Sequence, residues 1–331
     1  MKPVANFVSN SVLSQSDDLP SLANENLKRE ARRRDALMAF FFAFANLALF
    51  NITRRLQNIT PSVLYGATIT VYATTILSLV FMIAFCVLAA RSMALRRTVL
   101  INLLFSALLV LPRILLQILP ITFKWAGWES VFSSPLFHFY AGVIRYPEVG
   151  GLALMWFATS IGVLLSRMIR EFKILLPSAV ALAAVDVYVV FGGGLVTQAQ
   201  SGQNPIAQMA MRSLTIPLPV APKAMATGMA PLALAVGFAD FLFIALFFAC
   251  FRKFDIPSRK TFYFLLLTLT GYMLVVAMTG MALPALVPIA LVVIGMNLRR
   301  FNFTKDEKQA MGIAGVIIMV LLGVIAWRSK H

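Results

Sequence analysis

The chain has 331 residues, 60% of them hydrophobic and 13% charged, with 29 Lys and Arg against 13 Asp and Glu and a formal net charge of +16. A water-exposed domain carries about 25% charged residues, so a soluble globular fold is excluded, and the apolar residues fall in runs of the ~20 needed to cross a bilayer. The basic excess collects at the ends of those runs, as in Lys28, Arg29, Arg32, Arg33 and Arg34 and again in Arg252, Lys253, Arg259 and Lys260; this is the pattern of cytoplasmic loops and anionic-lipid contact, and no nucleic-acid partner is expected.

In chain order, residues 1–35 are polar, lack the basic start and apolar core of a signal peptide, and are expected as a cytoplasmic leader. Nine membrane-crossing helices are expected at 36–52, 64–90, 98–120, 149–166, 174–196, 229–250, 262–279, 281–297 and 310–327. Segment 131–146 is apolar but carries His138 and Arg145, and reads as interfacial, re-entrant or a further span. Phe40, Phe41, Phe42 and Phe44 in the first span are expected to face lipid. Arg91, Arg96 and Arg97, then Arg167, Arg170 and Lys173, then Arg252 to Lys260, then Arg299, Arg300 and Lys305 mark alternate loops as cytoplasmic. Loop 197–228, with only Arg212 and Lys223, then lies outside. The fold class is an all-α polytopic membrane protein. It divides into the leader 1–35, scaffold helices 36–173, a core 174–297 and a C-terminal helix and tail 298–331. The two cysteines, Cys86 and Cys250, sit in or at the end of apolar runs and give no disulfide framework.

The acids carry the chemistry. Of the 13, all but two fall in the leader, in loops or at span ends; Asp186 and Asp240 lie within apolar runs, 174–196 and 229–250. An ionised carboxylate at mid-bilayer costs at least about 2.5–3.5 kcal/mol on insertion scales, so such acids face a protein interior and mark function. The two runs are consecutive and antiparallel, which permits a facing pair at one depth. Two carboxylates a few ångströms apart share a proton. Such a dyad can deprotonate a water and protonate the carbonyl it attacks. The bland reading is a protonated Asp hydrogen-bonded to a neighbouring helix as glue. No His-Glu-x-x-His and no Gly-x-Ser-x-Gly occurs, so neither a metal nor another cofactor is expected.

Val185-Asp186-Val187-Tyr188-Val189-Val190-Phe191-Gly192 resembles the first aspartate motif of the signal peptide peptidase and presenilin family, where Tyr usually precedes Asp. Gly237-Phe238-Ala239-Asp240 resembles the family's second motif, Gly-x-Gly-Asp. Arg252-Lys253-Phe254-Asp255-Ile256 is similar to an Arg-Phe-Asp-Ile stretch that follows it, and Leu283-Pro284-Ala285-Leu286 contains the family's Pro-Ala-Leu. The resemblance covers 174–297. Val185 stands for the Tyr, Ala239 for the second Gly, and the span at 310–327 follows one that is normally last.

The resemblance implies a presenilin-like fold and an aspartic-type intramembrane endopeptidase. Asp186 and Asp240 would share the acid and base roles. Gly237 and Ala239, beside Phe238, would allow close backbone approach. Pro284, within Leu283, Ala285 and Leu286, would leave backbone unpaired near the dyad. The orientation implies transmembrane peptide substrates of type II orientation or signal-peptide remnants. The segment Thr215-Ile216-Pro217-Leu218 is extended by its prolines and, with Tyr188, is a candidate to bind substrate as a strand. Two other classes stay open: a proton- or cation-coupled secondary transporter using the same carboxylates, and a non-catalytic substrate-binding homologue. The localisation is multi-pass integral membrane, in the plasma or inner membrane of a prokaryote or the endomembranes of a eukaryote.

Overall fold

The computed structural model describes residues 19–59, 64–93, 96–122, 147–191, 214–217, 235–279 and 283–300, with single positions at 211, 305 and 309. Almost all of this is helical: α1 Leu19–Ile59, α2 Leu64–Ser92, α3 Arg96–Thr122, α4 Pro147–Ser166, α5 Leu175–Phe191, α6 Phe238–Lys253, α7 Arg259–Thr279 and α8 Leu286–Asn297. Short 3-10 turns at Phe172–Ile174 and Leu298–Arg300 precede α5 and follow α8. Four segments, Glu25–Thr53, Ala73–Ser92, Glu148–Ser166 and Phe172–Phe191, are long and apolar enough to cross a membrane. The chain is thus an all-α membrane protein. The segments 131–146 and 310–327 lie outside the described residues.

The described part of the polar leader and the first apolar run share one helix. The helix runs from Leu19 straight through the basic cluster, because Glu, Lys, Arg and Ala are strong helix formers and Glu25 pairs with Arg29 at 3.3 Å one turn on. Within the apolar half of α1, Ala39, Ala43, Asn46 and Phe50 form a buried stripe at helical spacing. The Ser78 hydroxyl of α2 donates to Asn46 Oδ1 at 2.6 Å, satisfying both buried groups. Phe40, Phe41 and Phe44 are exposed as expected of lipid-facing residues, but Phe42 turns inward onto Phe81, ring centroids 5.6 Å apart.

The core is built where α2, α4 and α6 meet. Thr159 of α4 donates to Cys86 Sγ of α2, and the Cys86 thiol in turn donates to the Phe241 carbonyl of α6. Ala158, Gly162 and Ser166 place a small residue every turn along α4, the spacing that lets membrane helices approach closely. A Cβ on Gly162 would lie 2.2 Å from the Leu242 carbonyl oxygen and 2.9 Å from the Ala245 Cβ of α6, so only glycine fits this crossing. At the far end of the same pair, Lys253 Nζ donates to the carbonyls of Ser166, Arg167 and Ile169. It thereby caps the C-terminus of α4, where a cation is favoured. The α6–α7 turn closes on Asp255 in the left-handed region, φ 52°. Ile256 N–H bonds to Phe251 O and Asp255 N–H to Arg252 O, the paired bonds of a Schellman cap.

Helix α5 is peripheral: only Leu175 and Ala179 are buried, which explains why it is apolar nearly all round. It packs on α8, and α8 also touches α6 and α7. The two aspartate helices are therefore joined through α8.

The expected span 229–250 is not one helix. Ala235–Gly237 forms a strand, β2, paired antiparallel with β1, Thr215–Pro217, in the register Thr215 to Gly237, Ile216 to Val236 and Pro217 to Ala235. The helix begins only at Phe238. The pairing supplies the backbone partners that irregular chain at membrane depth requires.

Candidate active site

Asp240 sits in the first turn of α6, three residues past the end of β2. It is not in mid-helix, because the strand-to-helix switch at Gly237 interrupts the apolar run. Its Oδ2 accepts the Gly237 N–H at 3.0 Å, satisfying one of the donors a helix start leaves free. A Cβ on Gly237 would stand 3.2 Å from that same oxygen. The space the glycine leaves is thus occupied by the aspartate of its own helix, with no neighbouring helix among its three nearest contacts. Ala239 is exposed.

Asp186 comes from α5, and its Oδ2 accepts the Leu286 N–H at 2.8 Å. Leu286 is the first residue of α8, so this too is a free helix N-terminal donor. The positive end of the α8 dipole faces the carboxylate. Pro284 lies two residues before α8, in the turn that leads into it, where its missing N–H costs the helix no bond. The turn it creates is not left unpaired: the Tyr272 hydroxyl of α7 donates to the Leu283 carbonyl, and Asp186 takes the Leu286 N–H.

Both carboxylates line one cavity of about 330 Å³. Tyr272 lines the same cavity. The depth of the two carboxylates follows from helix geometry. Lys253 at the end of α6 bonds to Ile169, just before α5 begins, so both helices have an end at the same basic face. At 1.5 Å per residue, Asp186 lies about 17 Å and Asp240 about 20 Å from it, near the middle of a ~30 Å hydrocarbon layer.

Phe238, Ala239, Leu283 and Ala285 line the cavity, as does Thr215. Tyr188 and Val185 are exposed on α5 and do not line it. Ile216 is fully buried in the core and pairs with Val236; Pro217 ends β1. Leu218 lies outside the described residues. Lining residues with no motif to mark them include Tyr272, Leu269, Met273 and Val276. For Tyr272 a signal existed: a phenol inside an apolar run needs a partner for its hydroxyl. Among the described residues, no three His, Cys, Asp or Glu side chains come together.

The arrangement offers two carboxylates, each oriented by one backbone N–H and each with its second oxygen free of any hydrogen bond given by those donors. The walls are otherwise mostly apolar, which strengthens every electrostatic interaction inside. Such a pair can exchange a proton with a bound water or substrate group. No family model matches the sequence, and neither a curated protein nor a solved structure does.

Proposed function

We propose that this protein is an intramembrane aspartyl protease of the signal peptide peptidase type. The observation that carries the reading is the convergence of Asp186 and Asp240, the two acids of the apolar runs, on one cavity where each carboxylate is anchored by a helix N-terminal N–H. In this mechanism one carboxylate takes a proton from water while the other, protonated, donates to the scissile carbonyl oxygen. The hydroxyl adds to the carbonyl carbon, and the resulting gem-diol collapses with proton transfer to the departing nitrogen. No covalent enzyme intermediate forms, and the dyad ends with its one shared proton restored. Scission needs an extended substrate, since a helical peptide bond is sterically closed. The β1–β2 pair beside Asp240 supports this step, because it offers strand-forming backbone at the cavity. Nine spans, a presenilin-like arrangement and a cytoplasmic basic face complete the proposal, and with that orientation the substrates are type II segments or signal-peptide remnants.

The test is cleavage of a tagged type II transmembrane peptide by purified protein reconstituted in lipid. Wild type should cut within the apolar segment, and Asp186→Asn and Asp240→Asn should each abolish cleavage. Inert wild type in a folded preparation, with proton flux lost in the same two variants, would instead assign the carboxylates to a transporter's relay. Peptide binding retained by all three without cleavage would identify a substrate-holding homologue.

A further inference from the structure

A second cavity, of about 700 Å³, opens at the basic face of the molecule, between the N-terminal half of α1, the end of α2 and the α6–α7 turn. Five cations line it: Lys28, Arg32, Arg91, Arg252 and Arg259. Asp35 and Asp255 are the acids there, so the cavity keeps a net positive charge. Like charges gathered from separate helices repel one another, and the repulsion grows where burial lowers the dielectric.

Arg252 bears most of this. Burial, and after it the charge of Arg32, work against its cation; Asp35 offsets part of this and Arg91 adds to it. Its Nη1 is buried with no hydrogen-bond partner among the described residues. Arg91, by contrast, spends one donor on the Ser258 hydroxyl. A buried guanidinium nitrogen without an acceptor is costly. Topology alone requires basic residues on this face, but it does not require three arginines from separate helices to meet at one cavity. An oxyanion in the cavity would offset the repulsion among the three arginines.

We propose that this cavity binds a phosphate group, held by Arg252 with Arg32 and Arg91. Guanidinium forks match phosphate oxygens in pairs. Phe251, Ile256 and Pro257 supply apolar wall beside the cations, as a phosphate carried on a lipid headgroup at the bilayer surface would need. The bound group would tie α1, α2 and the C-terminus of α6, the helix that carries Asp240 at its other end. This site is separate from the aspartate cavity and does not depend on how that cavity acts.

The experiment measures thermal unfolding of the full chain in neutral detergent with a thiol-reactive dye, which reports on the buried Cys86 and Cys250. It titrates phosphatidylglycerol, phosphatidylcholine or inorganic phosphate into wild type, Arg252→Gln, Arg32→Gln and Arg33→Gln. The last removes the same charge from an exposed residue outside the cavity. Phosphatidylglycerol should raise the midpoint of wild type and Arg33→Gln alike. Arg252→Gln and Arg32→Gln should lose the shift or need about tenfold more ligand, the scale of one charge-assisted hydrogen bond. A shift with inorganic phosphate as well assigns a free phosphate group; a shift with phosphatidylglycerol alone assigns the headgroup. Without ligand, Arg252→Gln should be no less stable than wild type, because it removes a partly buried cation that Arg32 and Arg91 repel. Should Arg252→Gln not fold, Arg32→Gln against Arg33→Gln decides. The proposal is overturned if neither ligand shifts wild type, if phosphatidylcholine shifts it equally, or if Arg33→Gln loses as much as the cavity variants.

Discussion

The Tyr272 hydroxyl holds no carboxylate, yet it fixes the site. By donating to the Leu283 carbonyl it sets the turn that presents Leu286 N–H to Asp186. Tyr272→Phe keeps the ring and its packing and removes only that bond. A net hydrogen bond of about 1 kcal/mol corresponds to about fivefold in rate. Peptide cleavage by Tyr272→Phe should therefore fall by about that factor with the unfolding midpoint little changed; unaltered turnover would show that the turn holds without it. Gly237→Ala tests the other carboxylate. Its Cβ would stand 3.2 Å from Asp240 Oδ2 and force the oxygen aside. Cleavage should drop severalfold, toward the ~100-fold that a 1 Å misplacement can cost, while a folded protein is still recovered. At this scale the sequence was most informative about the acids, and next about the motif residues beside them, since Gly237, Phe238, Ala239, Leu283 and Ala285 line the cavity. Asp186 and Asp240 stand out because charge in an apolar run is expensive. Tyr188 and Ile216 were plausible neighbours by motif and strand pattern, but one faces outward and the other is core. Only the helical phase of α5 and the pairing register decide that.

The crossing of α4 and α6 rests on one missing methyl. With 2.2 Å from the Gly162 Cβ position to Leu242 O, Gly162→Ala must push the helices apart along their whole contact. Overpacking of this kind costs about 1–3 kcal/mol, so the unfolding midpoint should fall clearly. Gly271→Ala is the matched control: no described atom lies within 4 Å of its Cβ position, and helix propensity favours alanine by up to about 1 kcal/mol. If both variants unfold alike, the crossing is looser than its geometry. The spacing of Ala158, Gly162 and Ser166 was readable as a close-packing stripe, but not which helix it meets, because α6 lies some 80 positions away in sequence and spacing carries no partner information. The β2 strand was hidden for a related reason. Residues 229–250 are apolar almost throughout, and hydropathy at membrane depth does not distinguish a helix from a short strand that has found its own partner. The α6–α7 turn shows the same limit from the other side: Asp255 adopts φ 52°, where an L residue pays about 1–2 kcal/mol that glycine does not. Asp255→Gly should raise the unfolding midpoint slightly, and Asp255→Val should lower it.

Over the whole molecule, charge placement was the most legible feature. Basic residues far apart in the chain, Lys28, Arg91, Arg252 and Arg259, gather at one face, as loops on one side of a membrane would place them. The long helical lead into α1 was less so, since polar composition reads equally as loop or exposed helix. In the proposed protease the side of the membrane that face occupies would set the substrate class, and α7 offers the cleanest measurement. Lys260 near its start and Thr279 at its end are both exposed, and about 29 Å of helix separates them, close to the ~30 Å hydrocarbon thickness. The natural Cys86 and Cys250 are buried, so they contribute little background to labelling. In sealed right-side-out vesicles, an impermeant maleimide should label Thr279→Cys directly and Lys260→Cys only after permeabilisation. That result puts the basic face inside and sends α5 outward through the membrane, because α5 starts at the same face that ends α6. A substrate helix entering the cavity beside β1 would then meet the dyad in type II orientation. The reverse labelling would keep the dyad and its depth but turn the preference to type I segments. Labelling of both positions from one side would mean that α7 does not cross, and the placement of Leu283 and Leu286 beside Asp186 would need another path through the bilayer.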